Sequence, residues 1–367
     1  MDPTAAADSL AALGWDAAWA DVFAPFVADG RRPGRVVAVH RETSVVRDGM
    51  RDVTAGVSGA FRFTALAHVD FPTVGDWVVL DGGDVIGAIL PRRNVFKRMA
   101  ADSTRRGGAL DDEQIMASNV DVALLVAGLD NDFNLRRIER YLSVAWSSGI
   151  TPVVVLNKSD LADDVDGRLV AVEAIAPGVI AIAVSARTGA GLDALRAQLR
   201  PGTTAAILGS SGVGKSTLVN ALLGEDRQAT GEVRESDSRG RHTTTHRELF
   251  ELPGGALLID TPGIRALEVI GADDGVETAF DDVVDIAAAC RFSDCRHDGE
   301  PGCAVRAAIG DGRLSEERLA SHRKLEREVA RAAREADPRA RAEYRRTWKI
   351  IHKSVERHME RKYGGET

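Results

Sequence analysis

The chain has 367 residues, of which 44% are hydrophobic, and its formal net charge at pH 7 is −8. This length suffices for two or three compact domains, and the net acidity argues against indiscriminate nucleic-acid binding. The sequence has neither a long apolar run nor a basic start followed by an apolar stretch, so we expect a cytoplasmic protein with no membrane role.

Residues 1–33 carry apolar side chains at helical spacing and predict a helical extension. Residues 34–97 contain short strand-like runs separated by Gly, Asp and Pro. We predict strands at 35–39, 43–47, 59–63 and 76–80. About 60 residues of short strands favour an OB-fold, a β-barrel that commonly binds nucleic acid on one face.

The barrel region also contains candidate nucleic-acid contacts. Arginines can contact phosphates and phenylalanines can stack on bases. The candidates are Arg41, Arg47, Arg51, Arg62, Phe61 and Phe63. Alternatively, the arginines form a solvated rim and the phenylalanines belong to the barrel core, and the sequence leaves both interpretations open.

Residues 98–275 predict an α/β domain that binds a nucleotide. After a connector at 98–112, a strand at 120–126 and a helix at 135–146 open the domain. Residues 209–216 match the phosphate-loop pattern G-x-x-x-x-G-K-[ST] between an apolar strand and a helix. Lys215 is expected to meet the β and γ phosphates, and the Ser216 hydroxyl to ligate Mg²⁺. The predicted phosphate-binding residues are Gly209, Ser210, Ser211, Gly212, Val213, Gly214, Lys215, Ser216 and Thr217.

A second segment predicts that the base is guanine. The Asp160 carboxylate can accept hydrogen bonds from guanine N1–H and N2–H₂, whereas adenine would present an acceptor nitrogen to it. The segment is Asn157, Lys158, Ser159 and Asp160, directly after a strand-like run at 151–156. We expect Asn157 to hold neighbouring loops together and the Lys158 stem to cover the base. After the next strand, Ser185 and Ala186 follow, and the Ala186 N–H is expected to reach guanine O6.

Two further segments predict a magnesium-dependent switch. Asp260, at the end of an apolar strand, is expected near Mg²⁺, and the Gly263 N–H near the γ-phosphate. In the polar segment 238–245, Thr244 is expected to close on Mg²⁺ only when that phosphate is present. Position 264, where many GTPases carry a water-orienting Gln, is Ile. His242 is the best candidate to position the water, with a solvated loop histidine as the alternative.

The order of these segments is itself informative. The base-reading segment precedes the phosphate loop, which precedes the magnesium segment. Ordinary GTPases begin with the phosphate loop. The sequence therefore predicts a circularly permuted GTPase domain.

All three cysteines of the chain lie between positions 290 and 303. Three thiolates and one imidazole form a tetrahedral Zn²⁺ ligand set with no open position, so the predicted zinc is structural. The predicted ligands are Cys290, Cys295, His297 and Cys303. A disulfide would leave an odd thiol, and buried or incidental thiols are the remaining alternative.

The motif order and the segments 240–245, 260–264 and 290–305 resemble the RsgA (YjeQ) family of small-ribosomal-subunit-dependent GTPases, over about residues 34–330. The resemblance implies a protein that binds the 30S subunit and its 16S rRNA late in maturation and leaves after hydrolysing GTP. It also implies that His242 takes part in hydrolysis and that Thr244 belongs to the Mg²⁺-dependent switch. We expect the protein to act as a monomer.

The C-terminal region differs in charge from the rest of the chain. Between Arg318 and Lys362, 15 Lys and Arg oppose 7 Asp and Glu, a net charge of +8. Such a segment can neutralise rRNA phosphates, and the alternative is a solvated helix without a partner. We predict that Pro338 breaks the helix.

We therefore predict a multidomain protein: a helical extension (1–33), an OB-type β-barrel (34–97), a permuted α/β P-loop GTPase domain (98–275), an α-helical zinc-binding module (276–330) and a basic helical tail (331–367). The predicted function is a 30S-assembly GTPase whose hydrolysis the ribosome stimulates. The alternative is a nucleotide-gated RNA-binding module in which hydrolysis is incidental.

Overall fold

The computed structural model describes residues 3–40, 42–99, 113–130, 132–225, 247–260 and 273–336. Several predicted features lie outside these residues: His242, Thr244, Gly263, Ile264, Arg41, most of the connector and nearly all of the basic tail. Among the described helices, none combines the length and the apolar character that a membrane span requires.

Two helices, α1 (Pro3–Ala12) and α2 (Ala17–Val27), open the chain. Asp16 caps α2, because its carboxylate accepts a hydrogen bond from the Trp19 N–H at 2.9 Å. Trp19 and Phe23 are the buried residues of α2. The Trp15 ring meets Trp77 edge-on at a centroid distance of 4.7 Å. The extension is thus docked on the following β-structure through aromatic contacts.

The next unit is built from β1 (Arg32–Val39), β2 (Ser44–Arg47), β3 (Asp52–Ala55), α3 (Gly59–Thr64), β4 (Trp77–Asp81) and β5 (Val85–Ile89). Its antiparallel strand order is β3-β2-β1-β4-β5. A parallel bridge between Val57 and Ile86 links the segment after β3 to β5. The interior contains Val36, Val46, Val78 and Ile86, all without exposed surface.

The predicted strand at 59–63 is wrong, because these residues form α3. Ser58 caps the helix: its hydroxyl accepts a hydrogen bond from the Phe61 N–H at 3.1 Å. Phe63 is 88% exposed, so it is not a core residue of this unit. The strands β3 and β5 were missed, since both are short and β5 contains a glycine.

A hairpin of β6 (Val95–Met99) and β7 (Glu113–Ser118) connects this unit to the α/β domain. Buried polar contacts fasten the junction. Asp76 accepts hydrogen bonds from Arg92 Nε and Nη2 at 2.8 and 2.7 Å. Arg35 donates to the backbone carbonyls of Leu13 and Asn119, and burial lowers its pKa to about 10. Arg35, on strand β1, therefore joins the N-terminal extension, the antiparallel unit and the start of the α/β domain.

The α/β domain contains β8 (Val122–Gly128), α4 (Leu135–Ser147), β9 (Thr151–Asn157), α5 (Val165–Ile175), β10 (Ile180–Ala183), α6 (Leu192–Arg196), β11 (Thr204–Gly209), α7 (Lys215–Leu223), β12 (Glu248–Glu251) and β13 (Leu257–Asp260). The strand order is β10-β9-β8-β11-β13-β12. All neighbouring pairs are parallel except β12 with β13. The carboxyl ends of the parallel strands therefore meet at one edge, where α/β folds bind ligands.

The two faces of this sheet are covered differently. On one face, α6 and α7 contribute Leu195, Leu218 and Leu222 to the core. On the other face, the core includes Ile138 and Leu142 of α4 and continues into the C-terminal helices.

The C-terminal region consists of α8 (Asp273–Ala279), α9 (Asp281–Ala288), α10 (Ala304–Gly310) and α11 (Glu316–Ala336). A buried ion pair attaches it to α4: Arg318 Nη1 lies 2.7 Å from Glu139 Oε1. Arg318 also contacts Asp282 at 2.9 Å, and its guanidinium lies 4.2 Å from the centre of the Phe280 ring. Helix α11 is thus packed against the α/β domain.

Candidate nucleotide site and metal centre

The predicted phosphate loop connects β11 to α7 at the carboxyl edge of the sheet. Gly214 has a φ of 88°, and a Cβ atom there would lie 2.5 Å from Asn157 Nδ2, so both backbone and space require glycine. Lys215 Nζ donates to the carbonyls of Gly209 and Ser210 at 2.7 and 2.5 Å. Ser211 belongs to the same loop, and Ser216 and Thr217 lie in the first turn of α7.

Asn157 joins the phosphate loop to the loop after β10. Its side chain is almost fully buried; Nδ2 donates to the Val213 carbonyl at 2.8 Å, and Oδ1 accepts from the Ala186 N–H at 3.0 Å. The structure therefore brings together the three segments that the sequence assigns to base and phosphate recognition. The Ala186 N–H, which we expected to reach guanine O6, donates here to Asn157.

Asp160 lies beside the Ser185 loop. Its Oδ1 accepts from Ser185 Oγ at 2.5 Å and its Oδ2 from Arg187 Nη2 at 2.6 Å. The Ser185 hydrogen bond is the largest contribution to lowering the pKa of Asp160, and Arg187 adds to it. The Ser159 N–H donates to the Val184 carbonyl and so fixes the turn that carries Asp160. Each carboxylate oxygen has lone pairs left to accept from a base.

Lys158 adopts a left-handed backbone conformation with a φ of 65°. Its Nζ donates to the Gly212 carbonyl at 2.6 Å and to the Asp130 carboxylate. Burial opposes ionisation of Asp130, but the hydrogen bonds from Lys158 and the Asp132 N–H outweigh it, so its pKa is lowered. The ammonium group thus neutralises a carboxylate at the edge of the site.

Three residues of the site were not predicted from the sequence: Asp130 and Asp132 in the loop after β8, and Arg137 at the start of α4. Asp132 forms an ion pair with Arg137, and both contact Ser210 of the phosphate loop. The signal was available: two carboxylates directly follow a fully buried strand, and strand ends at this edge bind ligands.

Asp260 ends β13, in register with Ile207 of the neighbouring β11. Burial raises the pKa of its carboxyl, and the nearby Lys215 charge acts against this shift. A buried carboxylate facing the phosphate-loop lysine suits a cation-dependent site. Gly263, Thr244 and His242, the other predicted switch residues, lie outside the described residues.

The predicted metal ligands lie together in the C-terminal region. The ligand atoms of Cys290, Cys295, His297 and Cys303 all lie within 4.8 Å of one another, a group able to hold a metal ion. His297 Nδ1 is 3.4 Å from Cys303 Sγ and 3.6 Å from Cys290 Sγ. The loop is braced by Glu300, whose carboxylate accepts from the Arg296 and Asp298 N–H groups at 2.9 and 2.8 Å.

Comparison with known proteins assigns the family. Residues 89–270 match the model of the RsgA GTPase family. The small ribosomal subunit biogenesis GTPase RsgA of Opitutus terrae is 48% identical over 94% of this chain and 96% of its own length. The chain belongs to the RsgA family. The RsgA protein of Streptomyces coelicolor is 45% identical, over 97% of this chain and 96% of its own length. The predicted family and the GTP-hydrolysing class are thereby confirmed.

Solved structures agree with this RsgA fold. YjeQ from Thermotoga maritima aligns with a TM-score of 0.59 and 28% identity, covering 82% of this chain and 99% of that one. YloQ, a circularly permuted GTPase, aligns with a TM-score of 0.56 over 82% of this chain and 95% of its own; at 23% identity it supports the fold alone. The predicted circular permutation is confirmed.

Proposed function

We propose that this protein is a GTPase that binds the 30S ribosomal subunit, assists its late maturation and hydrolyses GTP when the ribosome stimulates it. The structural observation that supports GTP binding is the position of Asn157. This buried amide bonds both the phosphate loop and the Ser185–Ala186 loop, beside Asp160. The relatives from Opitutus terrae and Streptomyces coelicolor are named small ribosomal subunit biogenesis GTPases.

In the proposed site, Asp160 reads the base and the phosphate-loop N–H groups hold the phosphates. Lys215 exchanges its loop carbonyls for phosphate oxygens on binding, since an ammonium group gains more from anions than from neutral acceptors. Ser216 and Thr244 would hold the Mg²⁺, with Asp260 close by and the Gly263 N–H at the γ-phosphate. The Mg²⁺ would neutralise charge that develops on the phosphates.

We further propose that the Cys₃His group binds one structural Zn²⁺. Zn–S and Zn–N bonds of about 2.3 and 2.0 Å place tetrahedral ligand atoms about 3.5 Å apart. The two measured distances from His297 Nδ1, 3.4 and 3.6 Å, fit this geometry. With four protein ligands, the ion has a folding role and no open position for a substrate.

The unit from β1 to β5 is proposed to be an OB barrel that contacts 16S rRNA. Its strand order, with a helix between β3 and β4, fits that fold. A cavity of about 520 Å³ between this unit and β7 is lined by His40, Arg62, His68, Phe71 and Arg247, among others. Phe63, which follows the lining residue Arg62 on α3, is almost fully exposed. Cations and aromatic rings on one surface suit single-stranded nucleic acid.

We place the protein in the cytoplasm, where 30S subunits mature.

Phosphate release with and without 30S subunits tests the function. We expect slow turnover alone and at least about 10-fold stimulation, which is about 1.4 kcal/mol of barrier lowering. His242→Ala should lose stimulated turnover but keep GTP-dependent 30S binding, and His246→Ala is the matched control. Stimulation that survives in His242→Ala would assign water positioning to another group.

The same assay separates the alternative function. A nucleotide-gated RNA-binding module would bind 30S subunits in a GTP-dependent way and show no stimulated phosphate release. Lys215→Ala should lose nucleotide affinity under either function.

A further inference from the structure

The loop between β8 and α4 brings two carboxylates to the edge of the sheet where we propose that a nucleoside triphosphate binds. Asp130 and Asp132 both lie there, and each contacts a cation: Lys158 in one case and Arg137 in the other. Unpaired carboxylates next to a polyanion would repel it. The two ion pairs therefore favour binding of the nucleotide phosphates. Lys158 belongs to the predicted base-reading segment, whereas Arg137 lies outside all of the predicted motifs.

Arg137 is held in a closed triangle with Asp132 and Ser210. Its Nη1 lies 2.6 Å from both Asp132 carboxylate oxygens and 2.6 Å from Ser210 Oγ. The Ser210 hydroxyl in turn donates to Asp132 Oδ2 at 2.7 Å. Every edge of the triangle is therefore a hydrogen bond, and two of its corners are charged.

Ser210 links this triangle to the phosphate-binding groups. It is the second residue of the phosphate loop, and its backbone carbonyl accepts a hydrogen bond from Lys215 Nζ. The Ser210 side chain thus holds the loop to the start of α4, while its carbonyl holds the lysine that we expect to meet the β and γ phosphates. A change in the triangle would reach the phosphate-binding groups directly.

We propose that Arg137 is a positioning residue for the nucleotide phosphates: it acts through Asp132, whose charge it neutralises beside the phosphate loop. The inference rests on the proposed nucleotide site. The guanidinium does not need to touch the nucleotide. Its removal exposes the phosphates to the Asp132 charge, and the penalty grows with the charge of the ligand.

Nucleotide titrations of the full-length protein with fluorescent GTP and GDP test this. Arg137→Gln should weaken GTP binding by at least about 10-fold and GDP binding less, because the triphosphate carries more negative charge. The deficit should shrink at high salt, since the charges are about one-third exposed and ions screen them. Arg136→Gln, a change at the exposed neighbouring arginine, is the matched control.

Removing the Asp132 charge shows whether Arg137 acts by neutralising that charge or by holding the loop in place. Asp132→Asn alone should bind GTP at least as tightly as the wild type, and Arg137→Gln combined with Asp132→Asn should recover to within about 3-fold of it. Two results would overturn the inference: normal GTP binding by Arg137→Gln, or a double variant as weak as that single variant. If Arg137→Gln fails to fold, Asp132→Asn alone tests the inference, and GTP binding weaker than that of the wild type would overturn it.

Lys215→Ala distinguishes failure of the inference from failure of the site. If it loses GTP affinity while Arg137→Gln does not, the site stands and the Arg137 proposal is wrong. If Lys215→Ala binds GTP like the wild type, the phosphate site is wrong and the role of Arg137 falls with it.

Discussion

The Asp160 carboxylate accepts hydrogen bonds from two sides, from the Ser185 hydroxyl and from the Arg187 guanidinium. Both contacts stabilise the carboxylate form, which is the form that accepts from guanine N1–H and N2–H₂. The left-handed Lys158 and the Ser159 N–H orient the short turn that carries it. In the proposed function, base selection therefore depends on one charged side chain whose orientation these contacts fix.

We predict that Asp160→Asn shifts the preference from guanine to xanthine nucleotides. The amide can donate to xanthine O2, where the carboxylate accepted from guanine N2–H₂. Titration with fluorescent GDP and XDP should show the inversion. Asp163→Asn, in the same loop and exposed, is the control and should keep the guanine preference. Unchanged GDP affinity in Asp160→Asn would remove Asp160 from the base site.

At the scale of elements, α2 depends on one capping residue. Asp16 accepts from the Trp19 N–H and also pairs with Arg93 at 2.7 Å, whose guanidinium lies 4.3 Å from the centre of the Trp19 ring. The Arg93 hydrogen bond is the main cause of the lowered pKa of Asp16. A cap, an ion pair and a cation–π contact therefore meet at the start of one helix.

We predict that Asp16→Ala lowers the stability of the docked extension by about 1 kcal/mol, mainly through loss of the cap. Asp16→Asn keeps a capping oxygen and should cost less. Because the folded pKa is depressed, the ionised group stabilises above its unfolded pKa of 3.8 and the contribution is lost as pH falls through the lower folded value. Limited proteolysis of residues 3–27 across this pH range measures it; equal cleavage of both variants would contradict the prediction.

The loop that carries the Cys₃His group is a second element whose stability depends on local interactions. Between α9 and α10, its residues form no strand or long helix among those described, so little apolar burial holds them. Zinc ligation contributes folding free energy of on the order of 10 kcal/mol in small modules. We predict that Cys295→Ser or strong chelation unfolds the loop and leaves GDP affinity largely intact.

Metal analysis and thermal melting check this prediction. The purified wild type should contain about one zinc per chain, and Cys295→Ser should lose it. Ser293→Ala, a change at an exposed neighbouring residue in the same loop, is the control. Native protein without zinc would contradict the assignment of the metal.

At the scale of the whole molecule, the buried pair of Arg318 and Glu139 attaches the C-terminal helices to the α/β domain. Arg318 also bonds Asp282 and the Ala279 carbonyl. Burial acts to lower the pKa of Arg318, but its contacts with Asp282 and Glu139 outweigh burial, so the pKa is raised. Glu139 has fewer partners, because its Oε2 is buried without a hydrogen-bond partner in the described parts of the chain. The arginine therefore contributes more contacts than the glutamate does.

We predict that Arg318→Met destabilises the protein by about 3–5 kcal/mol, because it leaves Glu139 buried and unpaired. Glu139→Gln should cost clearly less, since Arg318 keeps its Asp282 and Ala279 partners. Urea unfolding followed by circular dichroism measures both. Equal destabilisation by the two variants would show that Asp282 contributes little.

Much of the candidate site could be predicted from local patterns. Within each motif the residues are close together in sequence, and their chemistry follows from residue type and spacing. This holds for the phosphate loop, the Asn157–Asp160 segment and the Cys₃His group. Their order along the chain also determined the circular permutation. The predicted strand at 59–63 was wrong. Its aromatic residues suit a strand, but Ser58 caps a helix there and Phe63 is exposed to solvent.

Only the tertiary structure decided which distant residues meet. The contacts of Ser210 with Asp132 and Arg137 span 78 and 73 residues, and the contact of Arg318 with Glu139 spans 179. None has a sequence signature, because an aspartate after a strand or an arginine on a helix is ordinary in isolation. These pairs form because β8 lies beside β11 in the sheet and α11 packs on the side of α4. The sequence determined which chemistry each segment carries, and strand order and helix packing determined which of those groups act together.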